Sequence, residues 1–87
     1  MTYRYEEFRE QIFTPEGTEK LLAVRDRTRI CIDRSGAVRM DKAISGLIGH
    51  NWLLMACVDY LVERRELREI VQGQVWAQYR IFVDANE

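Results

Sequence analysis

Residues 52–58 form an uninterrupted apolar run, WLLMACV, and this run constrains the fold more than any other feature of the chain. The run opens a longer segment, residues 52–65, in which the spacing of apolar residues predicts a helix. A helix that is apolar on every side is stable in water only when it is covered. The rest of the chain, or a partner, must therefore cover this helix on more than one side.

The length and the charge of the chain limit what can provide that cover. Eighty-seven residues suffice for one domain with a single core. The 13 basic and 14 acidic residues nearly cancel, so the molecule has no overall field that would draw it to nucleic acid or to an anionic membrane. Charge therefore indicates no default partner.

The first thirteen residues predict an amphipathic helix. Tyr5, Phe8 and Ile12 fall at the spacing i, i+3 and i+7, and charged residues occupy positions between them. The resulting apolar stripe needs a surface to cover.

A second helix is predicted over residues 15–35. Thr14 can cap its first turn, Pro15 suits the first helical position, and Gly36 can end it in the left-handed conformation. Residues 37–40 are too few for a further helix, and they predict a short strand.

Two more helices and a hairpin are predicted after that strand. Asp41 can cap a short helix that runs through Ile44 and Leu47, and Asn51 can cap the apolar helix. Two segments rich in β-branched and aromatic residues flank a central glycine, which predicts strands at 67–71 and 75–83 joined by a turn at 72–74.

Helix, short strand, helix, turn, helix and hairpin follow one another here in the order of the winged-helix domain. The junction between the last helix and the hairpin, VDYLVERRELREI at residues 58–70, also resembles that family. The resemblance covers roughly residues 15–83 of a single domain, with residues 1–13 as an N-terminal extension and residues 84–87 as a frayed tail. It implies an α+β fold, a three-helix core with a C-terminal wing. Since most prokaryotic members are DNA-binding regulators, it also implies that role.

The apolar helix departs from the family pattern on its outward face. If Val58 points into the core, then Leu54, Leu61 and Val62 share its sector, with Met55 and Cys57 on the flanks. The opposite face then carries Trp52, Leu53, Ala56, Asp59, Tyr60 and Glu63. Reading DNA requires polar side chains for the base edges and basic ones for the phosphates. The composition of this face therefore disfavours DNA reading.

Two arrangements would account for the apolar side chains on the outward face. In the first, the N-terminal stripe folds back onto it within one chain, and the whole run becomes core. In the second, the face stays open or receives the N-terminal helix of another subunit, and it serves as an interface. Its aromatic residues are of the types enriched in interface hot spots. We therefore predict a non-enzymatic module that binds a protein partner or itself as a homodimer, through Trp52, Leu53, Ala56, Tyr60, Tyr5, Phe8, Ile12 and Trp76.

A small DNA-binding transcriptional regulator is the alternative. The candidate contacts are scattered polar and basic residues beside the last two helices and on the wing: Arg39, Lys42, His50, Asn51, Arg68 and Arg80. An ordinary solvated surface is the simpler interpretation of each of these residues taken alone.

No catalytic, cofactor or metal site is predicted, and no small-molecule substrate is evident. His50 is the single histidine, and Cys31 and Cys57 lie in apolar helical runs without a short ligand spacing. Buried thiols in a reducing compartment are the expected state, although a disulfide between the two cysteines is left open. The chain shows neither a basic-then-apolar leader nor a membrane-spanning stretch, so we expect a cytoplasmic protein.

Overall fold

The computed structural model describes residues 2–70 and 75–86. Within them the helices are α1 (Tyr5–Phe8), α2 (Pro15–Ser35), α3 (Met40–Ala43) and α4 (Asn51–Glu63). The strands are β1 (Val38–Arg39), β2 (Leu67–Ile70) and β3 (Ile81–Asp84), and 3₁₀ turns occupy Arg9–Phe13 and Ala77–Tyr79. The predicted α+β class is confirmed.

The three strands form one antiparallel sheet in the order β1-β3-β2. Phe82 of β3 pairs with Val38 on one side and with Glu69 on the other, so the predicted hairpin strands do pair. The second strand is shorter than predicted, because the 3₁₀ turn at Ala77–Tyr79 replaces its first half. The predicted turn at residues 72–74 lies outside the described residues.

Helix α2 has the predicted bounds because strong local signals set both of its ends. The Thr14 hydroxyl oxygen accepts a hydrogen bond from the Gly17 amide at 3.0 Å, and Pro15 is the first helical residue. At the other end, Gly36 has a φ of 79°, and its amide donates to the Ile32 carbonyl.

The N-terminal segment does not form the single helix predicted over residues 1–13. One α-helical turn, α1, is followed by the 3₁₀ turn Arg9–Phe13. A helix this short is marginal by itself, so packing decides its shape. Here the Gln11 backbone passes so close to Gly17 that an added Cβ would lie 1.8 Å from the Gln11 carbonyl oxygen.

The connection between α3 and α4 also differs from the prediction. Helix α3 is one turn that ends at Ala43, not at Leu47. The His50 side chain, not Asn51, caps α4, because its Nδ1 accepts a hydrogen bond from the Trp52 amide at 3.1 Å. Helix α4 then ends at Glu63, ahead of the predicted end at residue 65.

The core surrounds α4. Leu54, Val58 and Leu61 are buried as predicted, whereas Val62 is half-buried. Side chains from every other major element complete the core, among them Ile12, Val24, Met40 and Phe82. The helix is therefore covered on nearly all sides, as its apolar run requires.

Two smaller predictions need correction. Cys57 is buried but Cys31 is only half-buried, and both thiols are free. Asp84 belongs to β3 and lies 3.3 Å from Arg29, so the frayed tail does not begin at residue 84.

Candidate functional site

The outward face of α4 is covered by the N-terminal part of the same chain, residues 3–13, which we term the N-terminal cover. Beneath it, Leu53 and Tyr60 are only 8% and 9% exposed, and Ala56 is fully buried. This face is therefore not the open apolar surface of the second arrangement. The first of the two arrangements is the one found, because the cover turns back onto α4 with its stripe of Tyr5, Phe8 and Ile12.

Aromatic rings fix the cover to the start of α4. Phe8 meets Trp52 edge-on with 5.9 Å between ring centroids, and it stacks on His50 at 5.6 Å. Tyr3 stacks on Phe8 at 6.5 Å and approaches Trp52 at 6.4 Å. Each such pair contributes about 0.5–1.5 kcal/mol beyond the area that it buries. Trp52 and His50 are therefore occupied by contacts within the chain.

The two acids on the outward face also bind the cover. The Tyr3 hydroxyl donates to Asp59 at 2.6 Å, and the Tyr5 hydroxyl donates to Glu63 at 2.8 Å. Arg9 donates to both oxygens of Glu63, at 2.9 and 2.6 Å. These hydrogen bonds, that of Arg9 first, lower the pKa of Glu63 to about 2. Both carboxylates are therefore held in intramolecular pairs and do not face a partner alone.

Arg80 joins α4 to the hairpin. Its Nη2 donates to Asp59 and to Glu69, each at 2.7 Å, and its Nε donates to Glu69 at 3.0 Å. The hydrogen bond to Glu69, with that to Asp59, raises the pKa of Arg80 above its usual range. The side chain is also only 20% exposed, so Arg80 has a structural position here and is not the exposed phosphate contact that the DNA-binding alternative requires.

The other candidate DNA contacts have different surroundings. Arg39 pairs with Asp41 at 2.7 Å, and His50 uses its Nδ1 to cap α4. Lys42, Asn51 and Arg68 are exposed. Asn51 lines a groove of about 440 Å³ at the start of α4, together with Asp41, Ser45 and Gln78.

Exposed apolar side chains occur at the end of β2 and in the segment that leads into β3. We term four of them the hairpin patch: Ile70, Val75, Trp76 and Tyr79. Trp76 is 75% exposed, which sets it apart from the other predicted interface residues. Ile81 pairs with Ile70 on one side and with Arg39 on the other, and the Arg39 guanidinium lies 5.3 Å from the Tyr79 ring. The sheet register thus places Ile70, Ile81 and Arg39 side by side, with the Tyr79 ring next to Arg39.

The sequence analysis missed a second group of exposed apolar side chains. Phe13 and Leu22 are both more than half exposed, and they line a groove between the cover, α2 and the end of α4. Phe13 lies outside the predicted stripe of Tyr5, Phe8 and Ile12, and Leu22 lies outside the helically spaced series of α2, which is Leu21, Val24, Thr28 and Cys31. Nothing in the sequence separates such isolated off-phase residues from ordinary exposed ones.

Comparison with known proteins found no matching family model, curated protein or solved structure. Among residues 2–70 and 75–86, no group of three or more His, Cys, Asp or Glu side chains is placed to hold a metal ion. None of the helices in these ranges combines the length and apolarity needed to cross a bilayer.

Proposed function

We propose that the protein is a non-enzymatic binding module of winged-helix type that associates with a second copy of itself through the hairpin patch. The exposure of Trp76 carries this proposal. Tryptophan is enriched among the residues that dominate interface energies. Burying apolar surface contributes about 25 cal/mol per Å², so a tryptophan left in water forgoes a large stabilisation that a partner can supply.

The winged-helix part of the proposal rests on topology. The order α2-β1-α3-α4-β2-β3 and the sheet order β1-β3-β2 are compatible with that arrangement. The outward face of α4 would be its usual reading surface, and here the N-terminal cover occupies it. This occupation favours the hairpin over α4 as the place where a partner binds.

A second copy is the simplest partner for this patch. A twofold dimer needs only one self-complementary surface. Net charge far from zero keeps proteins monomeric, and a formal charge of −1 offers little such repulsion. The contact of Arg39 with Tyr79 also keeps one aromatic ring of the patch in a defined position.

Light scattering over a range of concentrations tests the proposal. We expect the wild-type protein to change from monomer to dimer as its concentration rises, and Trp76→Glu to remain a monomer. Ile48→Glu is the matched control, because Ile48 is 84% exposed but lies outside the patch. A wild-type protein that stays monomeric, or a Trp76→Glu variant that dimerises equally well, would refute self-association through this patch.

A DNA-binding regulator is the second candidate, and one observation favours it. Ser45, Asn51 and Gln78 line the groove at the start of α4, and amide side chains can form paired hydrogen bonds with adenine. The test is a duplex-DNA titration by fluorescence anisotropy at low and moderate salt. This candidate requires affinity that falls steeply with salt and that Asn51→Ala weakens, whereas Asn86→Ala does not. Unchanged affinity in Asn51→Ala would remove this contact from the DNA interface.

A further inference from the structure

A second surface, separate from the hairpin patch, has the chemistry of a docking groove. The groove between the N-terminal cover, α2 and the end of α4 has a volume of about 320 Å³. The buried side chains of Ile12 and Leu61 form its base, and the exposed side chains of Phe13 and Leu22 stand beside it. Ligand sites span about 300–1,000 Å³, so this one suits a few apolar side chains and not a large cofactor.

One of the two exposed apolar side chains at the groove, that of Phe13, is held in place by ring contacts, and the other, Leu22, lies on an ordered backbone. Phe13 is 55% exposed, yet its ring meets Tyr60 edge-on at 5.5 Å, and the Arg9 guanidinium lies 5.3 Å from its centroid. Leu22 is 53% exposed on α2, a long regular helix. Large apolar side chains that are already ordered lose little conformational entropy when a partner covers them.

Positive charge exceeds negative charge at the edge of this groove. Three arginines share the carboxylate of Glu66: Arg25 lies 2.9 Å from it, Arg64 3.5 Å and Arg29 3.7 Å. Arg29 also reaches Asp84 at 3.3 Å, so these three arginines face two carboxylates. The side chains of Arg25 and Arg64 remain about half exposed, and each guanidinium has five N–H donors.

We propose that this groove docks a segment of a partner protein in which large apolar side chains stand next to glutamate or aspartate. The apolar side chains would cover Phe13 and Leu22, and the carboxylates would pair with Arg25 and Arg64. An amphipathic helix laid in a groove presents such a pattern at i, i+3 and i+4. Charge complementarity selects an acidic segment, because a basic one would meet the excess of arginines.

Fluorescence anisotropy with two labelled peptides tests the inference. The probe is a short peptide of glutamate, leucine and one phenylalanine at helical spacing, and the control peptide has lysine in place of every glutamate. We expect the acidic peptide to bind at least about tenfold more tightly than the basic one, with an affinity that falls as salt is added.

Two matched pairs of variants locate the binding. Leu22→Asp should weaken binding of the acidic peptide about tenfold, whereas Ile30→Asp, at a similarly exposed position of the same helix, should change it less than about twofold. Arg64→Glu should weaken binding similarly, with Arg34→Glu as its control. Amide shifts in NMR spectra should move around the groove and not around Trp76.

Several results would overturn the inference. They are equal binding of the two peptides, equal effects of Leu22→Asp and Ile30→Asp, and no binding of the acidic peptide at millimolar concentration. Loss of self-association in Leu22→Asp without peptide binding would assign the groove to a second copy of the chain. Because Trp76→Glu leaves the groove intact, failure of the hairpin-patch proposal and failure of this one are distinguishable.

Discussion

Replacing Gly17 by alanine should push the adjoining part of the N-terminal cover, Gln11 and Ile12, away from α2. Gly17 lies in the first turn of α2, directly against the cover. A Cβ at this position would lie 1.8 Å from the Gln11 carbonyl oxygen and 2.7 Å from the Ile12 Cα. Backbone atoms cannot swing aside as a flexible side chain can. The oxygen would have to move by about 1.6 Å to reach an ordinary van der Waals distance.

The loss of stability can be worked out from the interactions that this movement of the Gln11–Ile12 backbone would break. The Gln11 carbonyl accepts a hydrogen bond from the Thr14 hydroxyl at 2.7 Å, and the Ile12 carbonyl accepts one from Thr18 at 2.9 Å. Each contributes about 0.5–1.5 kcal/mol, and burial of the Ile12 side chain contributes about 1.5–3 kcal/mol. Alanine recovers up to about 1 kcal/mol through its helix propensity. We therefore expect Gly17→Ala to lower the free energy of unfolding by about 1.5–5 kcal/mol.

Urea denaturation followed by circular dichroism measures this loss. In a Trp76→Phe background, where Trp52 is the remaining tryptophan, fluorescence should report greater exposure of the Trp52 ring in the Gly17→Ala variant. Glu16→Ala, an exposed change in the same helical turn, is the control and should shift stability by less than about 0.5 kcal/mol. If Gly17→Ala is as stable as the wild-type protein, or more stable as helix propensity alone predicts, the close contact between cover and α2 is refuted.

Three further predictions concern titration, charge and thiol chemistry. The pKa of Glu63 is about 2 in the folded protein against an ordinary 4.5, so its contribution to stability is present above pH 4.5 and is lost as the pH falls towards 2. When the free energy of unfolding in urea is measured against pH, Glu63→Gln should therefore reduce its change between pH 4.5 and 2. Arg80→Ala should lower the free energy of unfolding by about 2–3 kcal/mol, which is less than the loss of one partner from a fully buried ion pair. In a double-mutant cycle this loss should be smaller in an Asp59→Asn background, and equal losses in both backgrounds would contradict the ion pair. Burial raises the pKa of the Cys57 thiol to about 12, so an aromatic disulfide reagent at pH 8 should label Cys31 first and Cys57 only upon unfolding, and equal labelling rates would contradict that burial.

Elements with strong local signals could be predicted from the sequence. Helix α2 has its predicted bounds because Thr14, Pro15 and Gly36 act on residues a few positions away. The inward residues of α4 were also predictable, since helical periodicity alone groups Leu54, Val58 and Leu61. These features require no knowledge of what lies on the other side of the helix.

Contacts between distant segments could not be predicted in the same way. Tyr3 and Asp59 lie 56 positions apart, and their hydrogen bond is one of the contacts that hold the N-terminal cover on the outward face of α4. Helical periodicity showed that this face was apolar but not what covered it. The cap of α4 was missed for a local reason: the acceptor is His50 Nδ1, and histidine is not among the residues usually found at this position.

The candidate surfaces were predicted only in part. Trp76 was singled out from the sequence, and its side chain is exposed. The groove beside Leu22 was not singled out, because an isolated off-phase leucine on an amphipathic helix is indistinguishable from an ordinary exposed one. The shared carboxylate of Glu66 and its three arginines appear only when α2 and the end of α4 are brought together.

Whether the outward face of α4 is covered within one chain is tested most directly by isotope-filtered NMR. One sample contains uniformly labelled protein, and a second mixes labelled with unlabelled chains under conditions where copies associate. The ring centroids of Phe8 and Trp52 are 5.9 Å apart, so their edge protons should give nuclear Overhauser cross-peaks in the first sample. We predict those cross-peaks, and no Phe8–Trp52 cross-peak between labelled and unlabelled chains in the second sample. A Phe8–Trp52 cross-peak between labelled and unlabelled chains would place the cover on a partner subunit. If neither sample gives a Phe8–Trp52 cross-peak, these residues do not cover α4.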